Sequence, residues 1–269
     1  MKKFFLMTRG RTGSTAIIDE MNKVQGIFTS QELFIKQNFK KRIRNDPGFK
    51  ERMGISLDRY KKSKATIPYY LWKTQVPWQG KGWRRVFIPR ARWVASYLYE
   101  METVAKVHEA SVFGFKVLSH HFDQTPSLKK VLSDHKYQVI YLTRNVPRQV
   151  ISGMIAKQRG AYNRKNYHDN TRYQIDLDEF VRLVKYSIKG VQDDLLFINS
   201  CGFDFIKVSY EEFTFDRAAF FEQILAFLGV PFEVPKASDY SVMIKDLRHT
   251  VENLDAVLER ASAIGVTVV

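Results

Sequence analysis

Residues 4–18 read FFLMTRGRTGSTAII, an order of residue types that predicts a strand, a tight loop and a helix in direct succession. The apolar residues 4–7 favour a buried strand, and helix-compatible residues follow from Ala16 onward. Between them, Gly10 and Gly13 allow the backbone to come close to an anion. The N–H groups and the dipole at a helix start also favour negative charge. The stretch therefore predicts an anion cradle between a strand and the helix after it.

The loop differs from the ordinary phosphate loop, G-x-x-x-x-G-K-[ST], whose Lys reaches the outer phosphates and whose Ser or Thr holds Mg²⁺. Ser14 stands where that Lys is expected, and arginines lie before and inside the turn. This pattern indicates an anion that is bound without a metal ion. We expect the whole loop to take part, that is, Arg9, Gly10, Arg11, Thr12, Gly13, Ser14 and Thr15.

A second anion signal follows QVIYLT, residues 138–143, which we predict to be another strand. Arg144 comes directly after it, Pro147 suits the first turn of a helix, and Ser152 lies eight residues after Arg144. The guanidinium and the hydroxyl are therefore expected to meet on one phosphate. A salt bridge at the strand end is the alternative for Arg144 alone. Two such cradles in one chain favour the first interpretation.

Short apolar stretches alternate with helix-compatible ones, a pattern typical of an α/β fold. Near-continuous apolar strands indicate a central parallel sheet flanked by helices, with ligands at the carboxyl ends of the strands. The predicted strands are 3–8, 112–118, 138–143 and 205–209, and the predicted helices are 15–24, 91–107, 147–159, 177–200, 217–228 and 251–263.

We expect a single domain over 1–269, with a basic and aromatic insertion at about 36–100. A second polar excursion covers 158–175. Both are expected to run over the binding edge of the sheet, where such loops commonly build pockets. A solvated charged face is the alternative for each. Aromatic side chains of the insertion, Trp72 among them, offer stacking surfaces for a sugar.

The 269 residues carry 43 basic and 28 acidic side chains, a formal net charge of +15. This charge favours an anionic partner: nucleic acid, an acidic membrane surface or a phosphorylated small molecule. The single cysteine, Cys201, excludes an internal disulfide and a cysteine-rich metal site. No His, Cys and Asp cluster has ligand spacing, and no uncharged run approaches the ~20 residues of a membrane span. We therefore expect a metal-free, cytoplasmic protein with no integral membrane segment.

At its two anion motifs the chain resembles the sulfotransferases that use 3′-phosphoadenosine 5′-phosphosulfate (PAPS). Residues 11–15, RTGST, are similar to the family's first signature, a loop such as R-S-G-[ST]-[ST] after a strand. Arg144 and Ser152 keep the spacing of the second signature, R-[DN]-P-x-x-x-x-x-S, although the Pro comes one residue late. The resemblance covers residues 3–35 and 110–230 and does not extend over the basic insertion.

Two shorter stretches add to the resemblance. VSYEEF at 208–213 is similar to the family's V-x-Y-E-[DE]-L segment, and FLGVP at 227–231 to its F-L-G-[VI]-P. Within the family, RTGST, QELF at 31–34 and FGFKVL at 113–118 most resemble the bacterial branch that sulfates carbohydrates and glycolipids. Trehalose-type and nodulation-factor-type enzymes belong to that branch.

The resemblance implies a P-loop-like fold and the transfer of a sulfuryl group from PAPS to a carbohydrate or glycolipid hydroxyl, without a metal ion. It implies that the first loop holds the 5′-phosphosulfate and that Arg11 stabilises the leaving phosphate. It assigns the 3′-phosphate to Arg144 and Ser152, and Tyr210 to the support of the adenosine. For Arg9, an ion pair at the strand end is an equal alternative to donor binding.

The acceptor hydroxyl needs a general base near the sulfur. The resemblance implies Glu32, because a Glu at this place is the base in the bacterial branch; a surface helix cap is the alternative for this residue. His120 and His121, just past the strand ending at Leu118, are the other candidate bases, since an ordinary His pKa of ~6.5 suits the task. Lys116 resembles a Lys found near the donor sulfate or the acceptor.

Two other functions compete with this one. A phosphate-loop kinase predicts a Lys at the loop end and a carboxylate after a strand, where the chain has Ser14 and Arg144. A non-catalytic nucleic-acid-binding protein would use the net charge and stack bases on the aromatics of 69–83, but it leaves both anion loops unexplained. We therefore expect no nucleic acid partner. The helix at 91–107 is open to two interpretations, a homodimer contact and a core element.

Overall fold

The computed structural model describes residues 1–36, 66–75, 89–160, 171–240, 244 and 246–268. Within them, one five-stranded parallel sheet has the order β2-β3-β1-β4-β5. The strands are β1 Lys2–Thr8, β2 Ile27–Glu32, β3 Val112–Leu118, β4 Gln138–Thr143 and β5 Phe205–Ser209. The predicted α/β fold with a central parallel sheet is confirmed. It includes one strand, β2, that the sequence pattern did not indicate.

The helices that the structure describes connect and cover these strands. They are α1 Ser14–Met21, α2 Tyr69–Gln75, α3 Arg90–Val107, α4 His120–Gln124, α5 Ser127–Asp134, α6 Val146–Arg159, α7 Leu177–Ser200, α8 Tyr210–Phe215, α9 Arg217–Leu228, α10 Leu247–Thr250 and α11 Leu254–Ala263. The helices predicted at the positions of α3, α6, α7 and α9 agree with the structure to within one residue. Helix α1 ends earlier than predicted, and α11 begins later.

Strand β1 lies at the centre of the sheet, and its side chains alternate between the two faces. Phe5 and Met7 pack in the cluster that contains α3 and α5, whereas Phe4 and Leu6 pack in the cluster with α1 and α9. All four side chains are buried. Since burying such a side chain contributes about 1.5–3 kcal/mol, the central strand is a rigid base for the loop that follows it. Helices α6, α7 and α11 pack in a third cluster.

Residues 161–170 of the excursion predicted at 158–175, and much of the insertion at 36–100, lie outside the described residues. Within the insertion, Trp72 is only 2% exposed and donates its indole N–H to Glu100 at 2.7 Å. The expectation that Trp72 stacks on a sugar is therefore wrong, because its ring belongs to the core. Helix α3 likewise buries its apolar face, including Tyr97, in this cluster, as the core interpretation predicts.

Candidate active site

The first loop joins the buried end of β1 to the start of α1 in an unusual backbone conformation. Gly13 is the N-cap of α1 with φ 74°, and Arg11 has φ 64°, a left-handed value that costs a non-glycine residue about 1–3 kcal/mol. A Cβ on Gly13 would lie 2.3 Å from the ring of Tyr210, so only glycine fits there. The loop is therefore held in a shape that the isolated sequence would not prefer.

The carbonyl groups of this loop bind donors from the second motif. Gln149 donates to the carbonyls of Arg9 and Gly10 at 2.8 and 2.7 Å. Arg144 donates from Nη1 to the carbonyl of Arg11 at 2.9 Å. These hydrogen bonds offset the partial negative charge of the carbonyl oxygens, and the loop therefore repels an incoming anion less.

The start of α1 carries the positive end of a helix dipole with no acidic side chain to offset it. Its first turn contains no acidic residue, and no side chain caps it through a hydrogen bond. The first N–H groups of a helix have no carbonyl partner within the helix. An anion at this place would supply that partner and would be stabilised by the dipole.

The second cradle is built where β4 ends and α6 begins. Asn145 is the N-cap of α6, and its side chain accepts a hydrogen bond from Arg148 N at 3.1 Å. The Arg144 guanidinium stacks on the ring of Tyr210, with Cζ 4.5 Å from the ring centroid. Burial lowers the pKa of Arg144, an effect that the nearby Tyr210 and Glu211 oppose.

The structure brings the two motifs into direct contact. Arg11 Nε donates to Ser152 Oγ at 3.4 Å, and Tyr210 touches both Gly13 and Arg144. Within the described residues, Arg144 makes no salt bridge, and its buried Nε has no hydrogen-bond partner. The strand-end salt bridge considered for Arg144 is therefore not observed in this part of the chain.

Arg9 has a different environment from Arg11. Its Nε and Nη2 donate to the two carboxylate oxygens of Asp194 at 2.6 and 2.8 Å. Burial alone would lower the pKa of Arg9, but the hydrogen bond and charge of Asp194 more than offset this and raise it. Arg9 thus forms the ion pair that the sequence left open as one of its two roles.

Glu32 lies beside Lys116 on neighbouring strands. The register between β2 and β3 shifts between Ser30 and Glu32, so that Glu32 pairs with Lys116. Lys116 Nζ lies 2.8 Å from Glu32 Oε1 and donates to Thr15 Oγ1 at 3.1 Å. The buried lysine therefore connects the candidate base to the last residue of the first loop.

The two histidines differ sharply in exposure. His121 is fully buried, whereas His120 is exposed and its ring centroid lies 4.6 Å away. Burial lowers the pKa of His121 to about 4, helped by His120 and Lys116 and opposed by Glu32. His121 Nδ1 accepts from Leu118 N at 3.3 Å, so a neutral ring carries its proton on Nε2, 3.9 Å from Glu32 Oε2. This distance is too long for a hydrogen bond, and within the described residues the buried Nε2 has no hydrogen-bond partner.

A cleft of about 570 Å³ opens beside these groups. Thr15, Glu32 and Lys116 form one part of its wall. Polar side chains supply much of the rest, namely Asp19, Asn22, Thr29, Ser30, Gln31, Thr66 and Tyr240, and the apolar lining is Ile18, Leu33, Ile35 and Pro68. The volume is in the ordinary range for a small-molecule site.

Tyr240 reaches this cleft at the end of an irregular segment, residues 231–240, which we call the strap. The strap crosses α1 and is tied to the buried carboxylate of Glu20, whose Oε1 accepts from Ser238 N at 2.9 Å. Arg217 Nε donates to Glu20 Oε2 at 2.7 Å, and the same guanidinium binds the carbonyl of Pro235.

Sequence analysis did not identify three residues that contribute to the site, namely Gln149, Asp194 and Tyr240. Gln149 lies on the same helix as Ser152, three residues earlier, and that helical spacing was available as a signal. Asp194 and Tyr240 are far from both motifs along the chain and carry no local signal.

In the ranges that the structure covers, no group of three or more His, Cys, Asp or Glu is arranged to hold a metal ion. No helix of those ranges is both long enough and apolar enough to cross a bilayer.

Comparison with models of protein families finds a match over most of the chain. A sequence model described as the sulfotransferase family matches residues 4–234. The sulfotransferase domain of the Synechococcus PCC 7002 olefin synthase shares 16% identity and a TM-score of 0.47, over 86% of this chain and 74% of that one. A sulfotransferase from Alicyclobacillus acidocaldarius shares 15% identity and a TM-score of 0.43, over 98% and 96% of the two chains.

Mouse sulfotransferase SULT7A1, complexed with PAP, shares 12% identity and a TM-score of 0.43. That match covers 86% of this chain and 59% of the mouse chain. A comparison with curated proteins found no match.

Proposed function

The chain belongs to the sulfotransferase family, and on this premise we propose that it transfers a sulfuryl group in line from PAPS to a hydroxyl of a carbohydrate or glycolipid. The observation that carries the proposal is the meeting of the two arginine cradles, with Arg11 Nε 3.4 Å from Ser152 Oγ. PAPS has anionic groups at both its 5′ and 3′ positions, and the contact between the two motifs supports one guanidinium for each.

In this proposal the first loop binds the 5′-phosphosulfate. The N–H groups at the start of α1 and the hydroxyls of Ser14 and Thr15 hold its oxygens, and Arg11 supplies the cationic charge. Arg144 and Ser152 bind the 3′-phosphate. Tyr210, which stacks on Arg144 with 4.5 Å between Cζ and the ring centroid, supports the adenosine.

The transfer needs one proton acceptor and charge stabilisation on the leaving phosphate. Glu32 takes the proton of the acceptor hydroxyl while the hydroxyl oxygen forms a bond to sulfur. The bond between sulfur and the 5′-phosphate oxygen breaks, and its electron pair stays on that phosphate oxygen. Arg11 and Lys116 offset the negative charge that grows on the leaving phosphate oxygen. As in phosphoryl transfer, the rate gain comes mainly from positioning and electrostatics.

Glu32 is a better base than either histidine on the observed geometry. Its carboxylate lines the cleft beside Thr15. His121 is fully buried and does not line the cleft. His120 does not line the cleft. Among these three groups, the position of Glu32 in the cleft wall therefore supports it best as the base.

The support for a carbohydrate or glycolipid acceptor is the lining of the cleft together with the sequence resemblance. Hydroxyl and amide side chains form one wall, and aliphatic side chains form another. A sugar presents both hydroxyl groups and apolar C–H faces, and it matches such a lining. Gln31 Oε1 is buried without a hydrogen-bond partner in the described residues and offers an acceptor to a sugar hydroxyl. The same resemblance extends the proposal to a cytoplasmic enzyme of the bacterial branch.

Calorimetry with adenosine 3′,5′-bisphosphate (PAP) in EDTA tests the donor assignment. We expect PAP to bind without metal and ATP with Mg²⁺ to bind poorly. The variant Arg144→Met loses the 3′-phosphate contact, so its affinity for PAP should be no higher than its affinity for AMP. Arg182→Met changes an exposed arginine and should behave as the wild type. Binding of ATP only with Mg²⁺ would favour a kinase and overturn the proposal.

Mass spectrometry with PAPS and a panel of mono-, di- and trisaccharides and glycolipids tests the acceptor assignment. A mass gain of one SO₃ unit on a sugar supports it. Sulfation confined to phenols or amines in a parallel panel would overturn the carbohydrate assignment and leave the donor assignment standing.

A further inference from the structure

Asp194 is a buried carboxylate outside both anion motifs, yet it lies at the same edge of the sheet. It is 4% exposed and projects from the C-terminal half of α7. Besides the two bonds from Arg9, it accepts a hydrogen bond from Ser119 Oγ at 2.8 Å and from Tyr141 OH at 3.2 Å. Every one of these donors is a side chain at or near the carboxyl half of a strand.

The donors come from the three neighbouring central strands of the sheet, β3, β1 and β4. Ser119 follows β3, Arg9 follows β1, and Tyr141 lies within β4. A single carboxylate therefore joins side chains from three strands, one of which, β1, leads into the first loop. Burial beside Asp194 raises the pKa of Tyr141, so its hydroxyl keeps the proton that it donates.

Helix α7 is shaped to seat the Arg9 side chain. Gly190 lies one turn before Asp194, on the same face of the helix. A Cβ at Gly190 would lie 2.0 Å from Arg9 Nη1, so any other residue would displace the guanidinium. Glycine is a poor helix former, and its presence in the middle of a long helix is explained by this close approach.

The Arg9–Asp194 pair also connects the first loop to the second motif. Asp194 holds the Arg9 side chain, while Gln149 of α6 holds the Arg9 and Gly10 carbonyls at 2.8 and 2.7 Å. Arg11, two residues after Arg9, has a left-handed φ of 64°, and its side chain contacts Ser152. A shift of Arg9 would therefore move Arg11 relative to the second cradle.

We propose that Asp194 is a positioning residue for donor binding, which acts through Arg9 and does not touch the donor. A buried ion pair gives little net stability, because desolvation of both charges offsets their attraction. What the pair does supply is a fixed direction for the guanidinium and for the loop backbone attached to it. The inference rests on the proposed function, since it assigns the loop to the donor.

The test compares the PAP dissociation constant and the melting temperature of four variants with those of the wild type. Asp194→Asn should weaken PAP binding by about 10- to 100-fold, the scale expected when a binding group is misplaced by about 1 Å. Tyr141→Phe removes one donor to Asp194 but leaves the Arg9 pair, and should bind PAP nearly as the wild type does.

The third and fourth variants separate positioning from stability. Glu20→Gln disturbs another buried carboxylate–arginine pair, away from the first loop, and should lower the melting temperature while PAP affinity is unchanged. The double variant Arg9→Met/Asp194→Leu leaves no buried charge unpaired, so it should fold even if Asp194→Asn does not. It should still bind PAP weakly.

Wild-type affinity in both the double variant and Asp194→Asn would overturn this inference alone. If Asp194→Asn does not fold, the double variant decides by itself. Failure of the wild-type protein to bind PAP would overturn the proposed function and this inference with it.

Discussion

At the scale of single residues, the chemistry proposed here depends most on the carboxylate of Glu32. Lys116 Nζ lies 2.8 Å from Glu32 Oε1, and this contact orients one carboxylate oxygen while the other faces His121 Nε2 at 3.9 Å. Replacement by Gln keeps the shape of the side chain and removes its ability to accept a proton. The substitution therefore separates proton transfer from binding.

We expect Glu32→Gln to lower kcat by about 100-fold or more, the usual contribution of a general base, and to leave the PAP dissociation constant nearly unchanged. Steady-state kinetics and calorimetry on the same preparation measure both quantities. Asp19→Asn, in another acidic side chain of the cleft wall, is the matched control and should keep most of the activity. A fully active Glu32→Gln enzyme would show that another group takes the proton.

A second prediction concerns the pH dependence of the free energy of unfolding, to which His121 contributes. Its pKa is lowered by burial to about 4 in the folded protein, against an ordinary value of ~6.5 in the unfolded chain. Between these two values the unfolded state binds the proton and the folded state does not, so stability falls as the pH is lowered. At pH 5 the loss is about 2 kcal/mol relative to neutral pH, and it levels off below about pH 4.

Urea unfolding at pH 7.5 and pH 5 measures this loss in the wild type and in His121→Gln. The variant should show a pH dependence smaller by about 2 kcal/mol. Equal pH dependence in the two proteins would mean that His121 is hydrated or protonated in the folded state.

At the scale of helices and strands, the site depends on how irregular segments are fixed to regular ones. The strap, residues 231–240, is joined to α1 and α9 through Glu20, which accepts from Ser238 N at 2.9 Å and from Arg217 Nε at 2.7 Å. Tyr240 at its end lines the cleft. The strap thus connects the helix that follows the first loop to the wall proposed for the acceptor.

Arg217→Met should lower the free energy of unfolding by about 2 kcal/mol, because it leaves the buried Glu20 carboxylate without its charged partner. This loss of stability is smaller than the loss expected for a fully buried ion pair, because the Arg217 side chain is 30% exposed. A looser strap should raise the KM for the acceptor and leave PAP binding unchanged. Urea unfolding, acceptor kinetics and calorimetry measure these three quantities, and weaker PAP binding would contradict the separation of the two subsites.

The elements themselves differ in how far they could be predicted from the sequence. Strands β1, β3, β4 and β5 are short apolar stretches bounded by polar residues, so local pattern was enough to predict them. Strand β2, IFTSQE, ends in polar residues that line the cleft, and this removes the apolar signal. Its shifted register, which pairs Glu32 with Lys116, arises from contact with β3 and has no local signature.

At the scale of the whole molecule, contacts between distant parts of the chain decide what the local motifs could not. RTGST and the Arg144–Ser152 spacing indicated two anion cradles, but their meeting depends on β1 and β4 being neighbours in the sheet. Asp194 is 185 residues from Arg9, and only the packing of α7 against the sheet brings them together. The sheet flanked by helices could be predicted from the apolar pattern along the chain, whereas the Arg9–Asp194 pair depends on topology.

The net charge of +15 gives the last prediction, on the rate of donor binding. A basic molecule attracts an anionic nucleotide over long distances, and salt screens that attraction beyond about 10 Å at 0.1 M ionic strength. The contacts of Arg144 inside the cleft are part-buried and are screened much less. Stopped-flow measurements should therefore show an association rate for PAP that falls roughly tenfold between 0.05 and 0.5 M NaCl, with little change in the dissociation rate. A dissociation rate that rises with salt while association stays constant would instead show that exposed contacts hold the nucleotide and that the two arginine cradles do not.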